Sequence, residues 1–122
     1  MATVLVVEDN TANMKLAVFL LESAGRTVLT ATDAETGLAL ARSRGPDLIL
    51  MDIQLPDMDG LEAVALLKAD AMTRQIPVIA LTALAMKGDE ERILGAGYDG
   101  YTAKPIAYRE FLATVAAFLV KS

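Results

Sequence analysis

A parallel β-sheet with helices packed on both faces is the architecture that this chain of 122 residues predicts. Short apolar runs rich in β-branched residues recur five times, segments of helical character alternate with them, and the connections between them are short. The length suits one domain with a real hydrophobic core. No linker, repeat or low-complexity segment interrupts it.

The elements follow in order. Val4-Leu5-Val6-Val7 is a run suited to a strand buried on both faces. Asn13 to about Ala24 reads as a helix ended by Gly25, and Thr27 to Ala31 as the second strand. Thr32-Asp33-Ala34-Glu35 has the pattern of a capping box for a helix running to Arg44, with Gly45-Pro46 as its stop. Leu48 to Met51 is the third strand, and Gly60 to about Lys68 the third helix. Pro77 to Leu81 forms the fourth strand; Met86 to about Ala96 is the fourth helix, closed by Gly97. Gly100 to Ala103 gives a short fifth strand, and Ile106 to Val120 the last helix.

Composition narrows the chemistry. The apolar fraction is 54%, which argues against disorder, yet no apolar run approaches the roughly 20 residues of a membrane span. The N-terminus lacks a basic segment and meets acid at Glu8, unlike a signal peptide, so a cytoplasmic location is expected. Without cysteine there is no disulfide, thiolate nucleophile or thiolate metal site. Without histidine there is no imidazole base and no His-ligated zinc, and the chain cannot act as a histidine phosphodonor. A net charge of −5, scarce aromatics and no Trp disfavour nucleic acid as a direct partner.

The most informative stretch is Pro46-Asp47-Leu48-Ile49-Leu50-Met51-Asp52, which delivers one carboxylate to the end of a buried strand. Burying an unpaired charge is costly, so packing gives Asp52 no reason to stand there. In parallel α/β sheets, sites form at the carboxyl ends of the strands. Glu8 and Asp9, Asp52, Thr82 and Lys104 all fall at that rim. The three carboxylates form an oxygen-only set suited to a hard cation such as Mg²⁺. Glu8 and Asp9 could instead cap the following helix. Asp52 is placed to attack phosphorus and form an acyl phosphate. Thr82 offers a hydroxyl to a phosphoryl oxygen, and Ala83 leaves room for the group. Lys104 would pair with Asp52 at rest and with phosphate afterwards. A cis Lys104–Pro105 bond would turn the lysine over the site.

These residues, in this order, resemble the receiver domain of two-component response regulators. The resemblance runs from Val4 to Asn10 through Leu48 to Asp52, Pro56-Asp57-Met58-Asp59-Gly60, Thr82-Ala83 and Lys104-Pro105. Within the family it is similar to stand-alone regulators of the DivK-like type, through Asn13-Met14-Lys15-Leu16 and the segment Ala85 to Arg92. The resemblance implies a flavodoxin-like fold of sheet order 2-1-3-4-5, with residues 1–122 forming the receiver and no output domain. It implies Asp52 as phosphoacceptor in a phosphorelay. Mg²⁺ would be held by Asp9, Asp52 and the Gln54 backbone carbonyl, with Glu8 in the outer shell. Thr82 and Lys104 would bind the phosphoryl group. Tyr101 would swing inward as Thr82 moves, repacking the face of helix four, strand five and helix five. The partners implied are a sensor histidine kinase or histidine phosphotransfer protein and a downstream protein target.

Helix one carries more apolar residues than one core-facing stripe requires, which fits docking of a helical partner. In helix five, Phe111, Leu112, Val115 and Leu119 make the core stripe, leaving Ala117, Phe118 and Val120 toward the outside as a candidate homodimer contact.

Three competing functions meet specific obstacles in the sequence. A phosphatase of the haloacid dehalogenase type needs an Asp-x-Asp spacing, which Gln54 breaks. A nucleotide or flavin binder needs a glycine-rich first turn, where Glu8-Asp9-Asn10 stands. A pseudo-receiver that binds partners without phosphorylation is opposed by the joint presence of Asp9, Asp52, Thr82 and Lys104. Residue Leu84, two past Thr82, is expected to shield an acyl phosphate on Asp52 from water. Leu84→Ala should therefore shorten the phosphorylated lifetime, as followed by loss of the Asp52 phosphoryl group over time.

Overall fold

The computed structural model of the chain describes residues 2–83 and 87–119. Five strands and five helices alternate: β1 (Thr3–Val7), α1 (Thr11–Ser23), β2 (Thr27–Ala31), α2 (Ala34–Arg44), β3 (Leu48–Asp52), α3 (Gly60–Ala69), β4 (Val78–Thr82), α4 (Lys87–Ala96), β5 (Gly100–Ala103) and α5 (Tyr108–Leu119). All pairings are parallel and the order is β2-β1-β3-β4-β5, as the resemblance implied. Met86, Leu84 and Val120, which entered the sequence reading, lie outside the described residues.

Strand periodicity divides the core into two. Leu5, Val7, Ile49, Met51, Val78 and Ala80 point to one face, where Ala34 and Ala41 of α2, Ala63, Val64 and Leu67 of α3, and Ile93 of α4 cover them. Val4, Val6, Leu48, Leu50, Ile79 and Leu81 point to the other, against Ala17, Leu20 and Leu21 of α1 and Phe111 and Val115 of α5. Each residue of β3 and β4 is buried, which explains why these strands read as unbroken apolar runs.

Two expectations are corrected. Helix α2 does not start with a capping box from Thr32. Asp33 is its N-cap, accepting the Thr36 amide at 2.7 Å. The next two amides, of Ala34 and Glu35, donate to the distant Asp57 carboxylate at 2.8 and 2.9 Å, so no reciprocal glutamate is needed. The helix stops where expected, with Gly45 in the left-handed conformation at φ 53°.

The second correction concerns α5. Phe118 is not left outside: it is half-buried against the α1 and α5 side of the core. Its ring fills the space above Gly100, where an added Cβ would meet it at 2.9 Å. The missing side chain in β5 supplies the seat. Phe118→Ala should thus lower stability by roughly 1–3 kcal/mol in urea unfolding, with the slope unchanged, because a packed ring leaves a cavity. A solvent-facing ring would change it by no more than about 0.5 kcal/mol.

Candidate functional site at the carboxyl rim of the sheet

Parallel register brings the rim residues to one level. Val7 pairs with Met51, so Glu8 and Asp52 follow side by side; Asp52 pairs with Leu81, and Thr82 with Ala103. The Glu8 amide extends the ladder to the Ala31 carbonyl at 3.0 Å, and the Lys104 amide does the same to Thr82 at 2.8 Å. The Lys104–Pro105 bond is cis.

A shared ammonium organises the charges. Lys104 Nζ stands 2.8 Å from Asp52 Oδ2 and 2.6 Å from Glu8 Oε1. Asp52 Oδ1 accepts the Gln54 amide at 3.1 Å, and Glu8 Oε2 accepts the Asn10 amide at 3.1 Å. Glu8, Asp52 and Thr82 are all buried, while Asp9 is exposed. Burial alone would lower the Lys104 pKa, but hydrogen bonds from its ammonium to Asp52 and Glu8 outweigh it and hold the lysine above its ordinary value. Burial pushes the Glu8 carboxyl up, against the opposing pull of Lys104 and the Asn10 amide, and the neighbouring Asp52 adds to the rise.

Helix capping is not what Glu8 and Asp9 do. The N-cap of α1 is Asn10, whose side chain accepts the Asn13 amide at 2.9 Å. That leaves oxygens of Glu8, Asp9 and Asp52 within 4.8 Å of one another. One ammonium faces three carboxylates, an excess of negative charge that a divalent cation would relieve. Glu8 Oε1 is buried, with the Lys104 ammonium at 2.6 Å as its close partner. An all-oxygen donor set carrying more negative than positive charge fits a hard cation. The residues that could hold it are Glu8, Asp9 and Asp52.

Beside this cluster Asp52, Ile53, Gln54, Thr82, Ala83 and Lys104 line a cleft of about 40 Å³. A larger cavity of about 250 Å³ lies between α2 and α3, lined by Leu38, Leu66, Leu67 and Thr73 beside the Arg42–Asp70 ion pair, away from the carboxylates. Size alone does not mark the site. Tyr101 is half-buried between β5 and α4, its hydroxyl donating to Glu90.

Sequence reasoning assigned Lys104 to Asp52 but missed its pairing with Glu8. It also missed Asp57, whose carboxylate ties the β3–α3 loop to α2. No local signal marks a contact spanning 23 residues. Gly60 is a close-approach glycine, since a Cβ there would sit 2.5 Å from the Asp52 carbonyl oxygen and from Ile53 Cα. The loop leaving Asp52 is thus pressed directly on the first turn of α3.

A doubly wound five-stranded sheet with a lysine-paired acidic cluster on its carboxyl rim is the architecture of a signalling receiver. The profile of the response regulator receiver domain matches residues 4–116, and the chain belongs to that family. It is 50% identical over 117 residues to the polar-differentiation response regulator DivK of Brucella ovis, covering 96% of this chain and 95% of that one. In structure it is similar to the receiver domain of sensor histidine kinase PA1611 from Pseudomonas aeruginosa PAO1, which carries a magnesium ion coordinated in its active-site cleft. That likeness has a TM-score of 0.89 and 36% identity over 97% of each chain. A putative response regulator from Chloroflexus aurantiacus matches with a TM-score of 0.93 and 27% identity over 98% of each chain. The protein is a receiver of two-component signalling, a switch module similar to DivK. Among the described residues no helix is long and apolar enough to cross a membrane.

The Ala34 and Glu35 amides hold the Asp57 carboxyl below its usual range. A depressed folded pKa contributes stability above the unfolded value, about 3.9, and loses it as pH falls through the folded value. Asp57→Ala should therefore be less stable than wild type at pH 7. The gap should close as pH is lowered below about 4, when urea midpoints of the two are compared.

Proposed function

We propose that the protein accepts a phosphoryl group on Asp52 from a phosphohistidine, in a sensor kinase or a phosphotransfer protein, with Mg²⁺ as the required cation. The observation that carries this reading is the Asp52 carboxylate itself. One oxygen is held by Lys104 at 2.8 Å and the other by the Gln54 amide at 3.1 Å, beside the Glu8 and Asp9 oxygens. In the transfer, an Asp52 oxygen bonds to phosphorus as the P–N bond breaks, and the imidazole leaves with the electron pair. A bound hard cation would neutralise charge between the attacking carboxylate and the phosphoryl oxygens. Lys104 then follows the negative charge from carboxylate to phosphoryl group, and Thr82, lining the same cleft, offers its hydroxyl. The Gln54 backbone carbonyl is the third protein ligand in this reading. The transfer and a slow hydrolysis are the only chemistry assigned; the product is a changed surface.

Movement of Thr82 toward phosphate would release Tyr101 from Glu90 to turn inward, favouring one of two packings of the α4–β5–α5 face for a downstream protein. Phosphodonor docking is assigned to α1, where Leu16 and Phe19 are 39% and 67% exposed. Self-association, if it accompanies switching, is assigned to α5, where Tyr108, Ala113 and Ala117 are exposed. A cytoplasmic location suits such partners.

Incubation with Mg²⁺ and a small phosphoramidate, followed by intact mass, tests the core of the reading. A gain of one phosphoryl group is expected in the wild type, and none in Asp52→Asn or after chelation of Mg²⁺. No gain in folded, Mg²⁺-binding wild type would overturn it in favour of a module that signals by binding alone.

A further inference from the structure

Tyr98 precedes β5, so in this parallel sheet its backbone lies at the edge opposite Asp52. Its side chain nonetheless runs inward through the core and is only 3% exposed. The preceding Gly97 lies against Lys68 and Val64 of α3. Carrying a hydroxyl through such a core is unfavourable unless the group is satisfied at the far end. It is satisfied there: Tyr98 Oη donates to the Gly60 carbonyl at 3.0 Å.

Gly60 is the point where α3 presses on the loop that leaves Asp52. Its amide donates to the Ile53 carbonyl at 2.6 Å. The nitrogen of the same Ile53–Gln54 peptide donates to Asp52 Oδ1 at 3.1 Å. Three hydrogen bonds in series thus join the Tyr98 hydroxyl to the carboxylate at the opposite edge of the sheet. The phenol also senses that end: burial raises its pKa first, and the Asp52 and Asp59 carboxylates raise it further.

We infer that Tyr98 is a positioning residue of the phosphoacceptor site. By fixing Gly60, it orients the Ile53–Gln54 peptide, whose nitrogen aims the Asp52 carboxylate, and so places residue Gln54, whose own carbonyl in the next peptide would face the cation. The metal part of this inference rests on the Mg²⁺ reading above; the hydrogen-bond series does not.

Tyr98→Phe keeps the ring and removes only the hydroxyl. In metal-free protein, amide hydrogen exchange of Gly60 and Gln54 should quicken by roughly tenfold, while amides of α1 stay at the wild-type rate. By calorimetry, Mg²⁺ affinity should weaken about threefold to tenfold, less than loss of a direct outer-sphere partner. Phosphorylation should then need more Mg²⁺ for half its maximal rate. Unchanged exchange overturns the series outright. Faster exchange with wild-type Mg²⁺ affinity overturns the positioning role and leaves Tyr98 a brace of the fold. A wild type that takes no Mg²⁺ fails the metal reading instead, and the exchange rates then decide the series alone. Should the variant not fold, the wild type suffices. Mg²⁺ is expected to shift the ring resonances of Tyr98 more than those of exposed Tyr108, and equal shifts overturn the inference.

Discussion

One ammonium shared by two buried carboxylates is the constraint on which the rest of this structure depends. Lys104 touches Asp52 and Glu8 together, from the far side of the sheet's central strands. A pair of carboxylates this close would repel strongly without it, and an unpaired charge at such depth is among the costliest features a fold can hold. The three groups come from the ends of β1, β3 and β5, so the arrangement exists only if all strands are in register. A slip of one residue in any strand would send its rim residue to the opposite face and exchange the two cores. Charge pairing at the rim and the division of the core are therefore the same requirement seen from two ends.

The loop after Asp52 meets a second requirement, stiffness without regular pairing. It is held on separate sides by different chemistry. Asp57 caps α2 with both carboxylate oxygens, Gly60 lets the α3 backbone approach to contact distance, and Tyr98 grips Gly60 from behind. Held in this way, the loop presents its peptide groups in a fixed direction without needing ordered side chains at the rim. Preorganised dipoles of this kind suit a site whose work is the handling of charge.

Much of the fold was legible because strands buried on both faces and helices of moderate length announce themselves by period and composition. The rim residues were legible for a different reason: a carboxylate ending an apolar strand makes no sense as packing. What escaped were interactions between residues far apart in sequence. Asp57 looks like an ordinary loop acid, and only the approach of α2 makes it a cap. Phe118 looked surplus on a helical wheel because the vacancy that receives it lies in Gly100 of another element. Glu8 was read as a cation ligand or a helix cap, since nothing local reveals that Lys104 spans both carboxylates. Periodicity reports which face a residue occupies, and it is silent about what stands opposite.

The order of the sheet leaves β2 and β5 at its margins, with five and four residues. An unpaired margin is a template on which another chain can add a strand, and length and apolar character decide how strongly it recruits. Here the strands buried at nearly every residue are all interior, while β2 shows Thr27 and Thr30 to solvent and β5 has only four residues. The exposed apolar side chains, Phe19 and Tyr108 among them, stand mainly on helices, where a contact leaves the backbone pairing of the sheet untouched. Short, partly polar edges recruit a further strand only weakly.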